Sequence, residues 1–90
     1  MLLDNKMESL LVNKATYIEG YRISVEFNDG KNKIIDFGPF LATKKEGFLK
    51  KYSNTQIFKK VHIEKGNLVW GKEWDLIFPI HQLYKGEIEI

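Results

Sequence analysis

The chain has 90 residues, of which 43% are hydrophobic and 29% charged, and it carries no cysteine. That length holds one core and leaves no room for a second, because so short a chain buries only about 60–65% of its unfolded surface even as one unit. The composition excludes a disordered or membrane protein, and without cysteine there is no disulfide framework, thiol nucleophile or thiolate metal site, so a reducing cytoplasm is the expected compartment.

The first residues, Met1 to Val12, place Leu3, Met7, Leu10 and Leu11 at helical spacing. They are read as an N-terminal extension, helical or disordered, ahead of a single domain over residues 13–90. Asp4 interrupts the apolar run that a secretion signal needs, and no stretch approaches the roughly 20 apolar residues that cross a bilayer. No membrane association is expected.

From Tyr17 onward the period changes. Tyr21, Ile23, Val25 and Phe27 alternate with Arg22, Ser24 and Glu26, as a half-buried strand requires. Asn28-Asp29-Gly30 tolerates the positive φ angles of a hairpin turn, and the chain resumes as Lys33-Ile34-Ile35-Asp36-Phe37. Upstream, Ala15 to Glu19 with Gly20 as the bend completes a three-stranded meander.

Gly38-Pro39 stops the strand, since proline cannot donate to a ladder. Leu41, Phe48, Leu49 and Tyr52 then share one helical face, with Gly47 dividing the region into either two short helical pieces or one longer helix. Ser53-Asn54-Thr55-Gln56 has the form of a capping box and predicts a helical turn that starts at Ser53 and buries Ile57 or Phe58.

Alternation returns with Val61 and Ile63 against Lys60, His62 and Glu64, and Lys65-Gly66-Asn67 turns the chain into Leu68-Val69-Trp70 as a second hairpin. Trp74 to Phe78 is apolar apart from Asp75. Pro79 suits the first position of a helical turn facing Ile80, Leu83 and Tyr84 inward, and Glu87-Ile88-Glu89-Ile90 alternates as a short edge strand. The predicted fold is α+β: a small antiparallel sheet, a three-stranded meander plus a second hairpin, with short helices on one face.

Little in the chain carries chemistry. His62 and His81 stand 19 residues apart, far from the spacing that puts two imidazoles on one metal, so no metal site is expected. Asp36 and Asp75 sit in apolar surroundings; paired, they form an acid and a base, but each is better explained as an acceptor for nearby backbone donors. Ser9, Ser24 and Ser53 lie in no nucleophile elbow, and the glycines, found singly, form no phosphate-cradling loop. No cofactor is expected.

Charge supplies the main functional signal. Lys44, Lys45, Lys50, Lys51, Lys59 and Lys60 face a single acid, Glu46, which gives this segment +5 while the rest of the chain sums to −3. If the segment is helical, Lys44 and Lys51 lie side by side next to the apolar stripe, a face suited to phosphates or an acidic protein, or simply to water. Phe48 and Tyr52 have the spacing of core residues rather than of base-stacking platforms, and Trp70 and Trp74, which bracket Gly71-Lys72-Glu73, are either core or partner anchors.

The ordered landmarks Tyr21-Arg22-Ile23-Ser24-Val25-Glu26-Phe27-Asn28-Asp29-Gly30, Ile35-Asp36-Phe37, Phe48-Leu49, Phe58-Lys59-Lys60-Val61 and Trp70-Gly71-Lys72-Glu73-Trp74-Asp75-Leu76 resemble a family of small bacterial domains of unknown function, catalogued under the number 2442. The likeness runs from about Asn13 to Tyr84; Trp74 stands where that family usually has a small residue, and Met1 to Val12 lies outside the pattern. The resemblance implies a compact α+β domain with no catalytic residues to carry over. It also implies the company of other small bacterial proteins, in a toxin–antitoxin-like arrangement in some cases. Some members carry a DNA-binding module after this domain, which a chain ending at Ile90 is expected to lack.

Three functions therefore compete. A non-enzymatic protein-interaction module with a small protein partner leads, acting through the C-terminal edge strand, the Trp70 to Trp74 loop or the lysine segment; pairing of two copies across an exposed edge is open as well. Nucleic-acid binding through the six lysines is second, with a pI near 8.8 that falls below the usual level for such domains. An enzyme is third and needs Asp36, Asp75 or His81 to converge in a cleft.

Overall fold

The computed structural model describes residues 10–44, 46–86 and 88, Phe48 by its backbone alone. It contains two three-stranded antiparallel sheets, ordered β1-β2-β3 and β4-β5-β6, with short helices between and after them. The α+β reading holds.

The first sheet follows from alternation. Strand β1 (Val12–Glu19) pairs with β2 (Arg22–Phe27), which pairs with β3 (Asn32–Asp36). Ile23, Val25 and Phe27 on the central strand are fully buried, while Arg22, Ser24 and Glu26 point to the other face. Tyr21 falls in the Gly20-Tyr21 turn rather than in β2; its ring meets Phe58 edge-on at 5.3 Å and its hydroxyl donates to the Ser53 carbonyl. The β2–β3 turn is closed by Gly30 N–H donating to the Phe27 carbonyl (2.9 Å) and Lys31 N–H donating to Asp29 Oδ1 (2.9 Å).

The N-terminal helical face does not extend to the end of that segment. Val12 is a buried strand residue, and the Leu11 backbone pairs with Asn28, accepting from Asn28 N–H (2.8 Å) and donating to Asn28 Oδ1 (3.1 Å). Leu3 and Met7 lie outside the described residues.

Between the sheets the chain forms three short pieces: α1 (Gly38–Ala42), a 3-10 helix (Phe48–Ser53) and α2 (Thr55–Phe58). Pro39 occupies the first turn of α1, where its missing N–H costs nothing, and Asp36 Oδ1 accepts from Gly38 N–H (2.8 Å). Gly47, at φ 88°, breaks any continuation. The cap of α2 is Asn54, not Ser53: Asn54 Oδ1 accepts from Gln56 N–H (2.8 Å), while Ser53 is spent ending the 3-10 helix.

The second sheet joins β4 (His62–Glu64), β5 (Asn67–Trp70) and β6 (Leu76–Ile77). Lys65 and Gly66, at φ 51° and 79°, make the two-residue turn between β4 and β5 that a right-twisted hairpin prefers. The third strand was not legible as a strand: it has two residues inside an unalternating apolar run, paired as Val69 with Ile77 and Trp70 with Leu76. Nor does β4 alternate, since His62, Ile63 and Glu64 are all half-buried, whereas Leu68, Val69 and Trp70 of β5 are buried on both faces.

Helix α3 (Ile80–Lys85) takes Pro79 as its N-cap, one position earlier than expected, and ends at Gly86 in the left-handed region. It buries Leu83 and sets the Tyr84 ring edge-on to Phe27 at 5.0 Å. Glu87, Glu89 and Ile90, which were to form an edge strand, lie outside the described residues.

One core unites the two sheets. Phe37, Phe58 and Phe78 surround Trp70 with ring centroids at 5.3, 5.5 and 5.8 Å, and the Trp70 indole N–H donates to the Phe58 carbonyl (2.8 Å). At the rim, Val12 N–H donates to the Gly66 carbonyl (2.8 Å), so the first strand of one sheet is tied to the turn of the other.

Candidate interaction surface

The first sheet has a face that no described element covers. Strand register places three rows across it: Lys14, Glu26 and Asn32; Thr16, Ser24 and Ile34; Glu19, Arg22 and Asp36. Ile34, 65% exposed, is the most exposed large hydrophobic side chain of the described residues, and Ile18 on β1 is 43% exposed. Charged residues share this face, with Arg22 Nη1 and Glu19 Oε2 paired at 3.3 Å.

The two edges of this sheet differ. β1 departs from regular register twice, between Val12 and Lys14 and between Tyr17 and Glu19, and it is tied to the second sheet at Val12. β3 keeps unbroken register from Asn32 to Asp36. The bonds from Phe27 N–H to the Lys31 carbonyl and from Phe37 N–H to the Tyr21 carbonyl bracket the β2–β3 ladder. Antiparallel alternation then directs the N–H and C=O groups of Asn32, Ile34 and Asp36 away from β2, outward along the edge.

The lysines do not gather on one helix. Lys44 follows α1 and rests its Nζ over the Phe40 ring at 5.1 Å, whereas Lys51 belongs to the 3-10 helix. The expected side-by-side placement on one helix is thereby corrected, because Gly47 interrupts the segment. Lys51 Nζ lies 3.4 Å from Asp75 Oδ2 and 5.4 Å from the Tyr52 ring centroid. Lys50, Lys59 and Lys60 are exposed; Lys45 and the Phe48 side chain lie outside the described residues. Tyr52 is a core residue and offers no ring face for a base to stack on.

The tryptophans separate as well. Trp70, 1% exposed and hydrogen-bonded inside, is core and not a partner anchor. Trp74 is half-buried at φ 56°, and its indole N–H donates to Glu64 Oε1 (2.6 Å) while His62 Nε2 meets Glu64 Oε2 at 2.8 Å. These two neighbours hold the Glu64 carboxyl below the ordinary glutamate range, the Trp74 bond first and the His62 bond second. The cluster was missed because the positive φ that folds Trp74 back over β4 leaves no trace in residue spacing. The pairing of His62 and Glu64 two apart on one strand was the available signal.

Among the described residues, the carboxylates and the imidazole considered for catalysis each have a structural engagement or are exposed. Asp36 caps Gly38; Asp75 Oδ2 accepts from Tyr52 (3.2 Å) and from Lys51; His81 is exposed on α3. Burial, followed by the Asp75 charge, pushes the Tyr52 hydroxyl above its usual pKa. Tyr84 donates to Asp29 Oδ2 (2.6 Å), which lowers the Asp29 pKa and raises that of Tyr84. An open recess of about 380 Å³ beside the β1–β2 turn, lined by Tyr21, Arg22 and Asp36 among others, gathers no acid–base pair beyond the surface Arg22–Glu19 contact. Among the described residues no group of three or more His, Asp or Glu side chains is placed to hold a metal ion, and no helix is long and apolar enough to cross a membrane.

A family model described as "Protein of unknown function (DUF2442)" matches residues 12–89. No curated protein and no solved structure matches the chain.

Proposed function

We propose that this chain, which belongs to the DUF2442 family of proteins of unknown function, is a non-enzymatic protein-interaction module, the partner component of a two-protein system. The observation that carries the reading is the uncovered face of the first sheet, with Ile34 exposed on its β3 edge, Ile18 exposed on β1, and charged residues around them. Removing an isoleucine side chain from water contributes roughly 1.5–3 kcal/mol when burial is complete, so a partner that covers Ile34 has most of that to gain. The polar clusters elsewhere serve the fold: Asp75 ties the 3-10 helix to the approach to β6, and Glu64 ties β4 to Trp74.

The experiment is affinity capture with the wild-type chain and with an Ile18→Asp/Ile34→Asp variant of unchanged circular dichroism. A protein retained by the first and lost by the second is expected; identical retention by both removes this surface from the account. The nucleic-acid reading, which rests on Lys44, Lys45, Lys50, Lys51, Lys59 and Lys60, is tested by titrating duplex and single-stranded oligonucleotides at low and moderate salt. Affinity that falls steeply with salt favours the lysines, because each phosphate contact releases counterions.

A further inference from the structure

We infer that the β3 edge pairs in antiparallel fashion with β3 of a second copy of this chain, joining two first sheets into one continuous sheet. This deepens the interaction reading above, on which it rests, by naming the occupant of the edge while the apolar face stays open.

An edge strand left regular is a template for another strand, and proteins block such templates with bulges, prolines or covering elements. β1 has two register irregularities and a tie to the Gly66 carbonyl, whereas β3 has unbroken register, and the outward groups of Asn32, Ile34 and Asp36 pair with no strand of the described residues. The two edges are treated differently within the same sheet.

The sequence of β3 then selects a copy of itself. Antiparallel pairing centred on Ile34 sets the two Ile34 side chains against each other and Asn32 against the copy's Asp36. The row that begins Lys14, Glu26, Asn32 continues into the copy's Asp36, Arg22 and Glu19, so no two like charges stand directly opposite. A slip of two residues in one direction sets Ile34 against Asp36. The same slip in the other sets Ile34 against Asn32 and Lys33 against itself. Only the centred register matches Ile34 with Ile34 and the Asp36 carboxylate with the Asn32 amide. It also brings both exposed Ile34 side chains together on the uncovered face, joining two edge residues into one apolar patch that a partner would meet.

The test is sedimentation equilibrium of the full chain from micromolar to millimolar concentration, with Ile34→Pro and Ile34→Asp alongside. The Ile34 N–H points away from β2, so proline there removes a bond to the copy and none within the sheet, while aspartate sets two carboxylates face to face. The wild type is expected to pass from one-chain to two-chain mass, and both variants, with wild-type circular dichroism, to lose the two-chain species. If proline disturbs the fold, Ile34→Asp alone carries the comparison, since its side chain stands in water. A wild type that stays monomeric, or variants that dimerise equally, overturns the pairing. A monomeric wild type whose captured partner is lost in Ile18→Asp/Ile34→Asp overturns the pairing alone and leaves the interaction reading standing.

Discussion

The two sheets solve the same problem with different means. The first has strands of eight, six and five residues, alternation that is clean on β2 and β3 and interrupted twice on β1, and one face in water, so period-two patterning specifies most of it. The second has strands of three, four and two residues, a central strand buried on both faces and no alternation to speak of. It is held by Trp70 within the aromatic cluster, by the positive-φ turn at Gly66, by Tyr52 on Asp75 and by Trp74 on Glu64. The lesson is that a sheet too short to hold itself by backbone pairing is fastened by side chains, and polar side chains spent as fasteners are withdrawn from surface chemistry. The longer sheet is held chiefly by its strand ladders, and its outer face, with the Arg22–Glu19 pair and the Asp36 cap at one end, leaves Ile34 in water.

The contrast breaks most visibly at Trp70. Truncating it to alanine empties the centre of the aromatic cluster and should cost about 3–5 kcal/mol, a large part of the 5–15 kcal/mol typical of a whole domain. Denaturant melts are expected to show the chain largely unfolded or with a sharply reduced midpoint; a midpoint near that of the wild type would mean that the second sheet is fastened elsewhere.

Gly66→Ala comes next. The residue sits at φ 79°, and an added Cβ collides with the Leu11 side chain where the two sheets are tied. A loss on the order of 1–3 kcal/mol is expected by thermal or chemical denaturation. The same change at Gly20, at φ 55° with nothing within 4 Å of an added Cβ, lacks the collision and should cost less.

Tyr52→Phe removes the hydroxyl from Asp75 and should cost about 0.5–1.5 kcal/mol, read from the shift in denaturation midpoint. The Glu64 fastener is tested with acid. Its carboxyl pKa is depressed in the fold, so its contribution is present above the unfolded value of about 4.3 and is lost as pH falls through the folded value. The Trp74 indole N–H resonance should move over that acidic range in the wild type and stay put in Glu64→Gln, whose amide oxygen still accepts the bond but does not titrate. A Trp74 resonance indifferent to both changes would show that the 2.6 Å contact does not fasten the loop.

The smallest effect is expected on the open face. Ile34→Thr should change monomer stability by no more than about 0.5 kcal/mol, because the side chain already stands in water. A cost above 1.5 kcal/mol or so would place Ile34 in the fold's own packing and dissolve the distinction between the sheets.

What the sequence disclosed follows the same division. Tyr17 to Phe37 showed its strands and turns because one face is buried and the other wet, and the Lys65-Gly66 turn showed itself through glycine. β6 stayed hidden because two residues buried in an apolar run carry no period. Asn54 displaced Ser53 as a cap because the preceding 3-10 helix, set by Gly47, ends on Ser53. The lysine segment was legible as charge but not as geometry, and the open face was legible only in part. Ile34 reads in sequence as one more strand isoleucine, and nothing in its spacing says that the helices cover the opposite side.

Hydrogen exchange at the amides of β3 puts the central claim to its most direct trial. In dilute solution Lys33 and Ile35, bonded to β2, should exchange slowly and Asn32, Ile34 and Asp36 quickly. On concentrating the protein, the second set should slow toward the first. Protection of Ile34 that is already high and unchanged in the most dilute sample would contradict the account, since the edge would then be closed within the single chain.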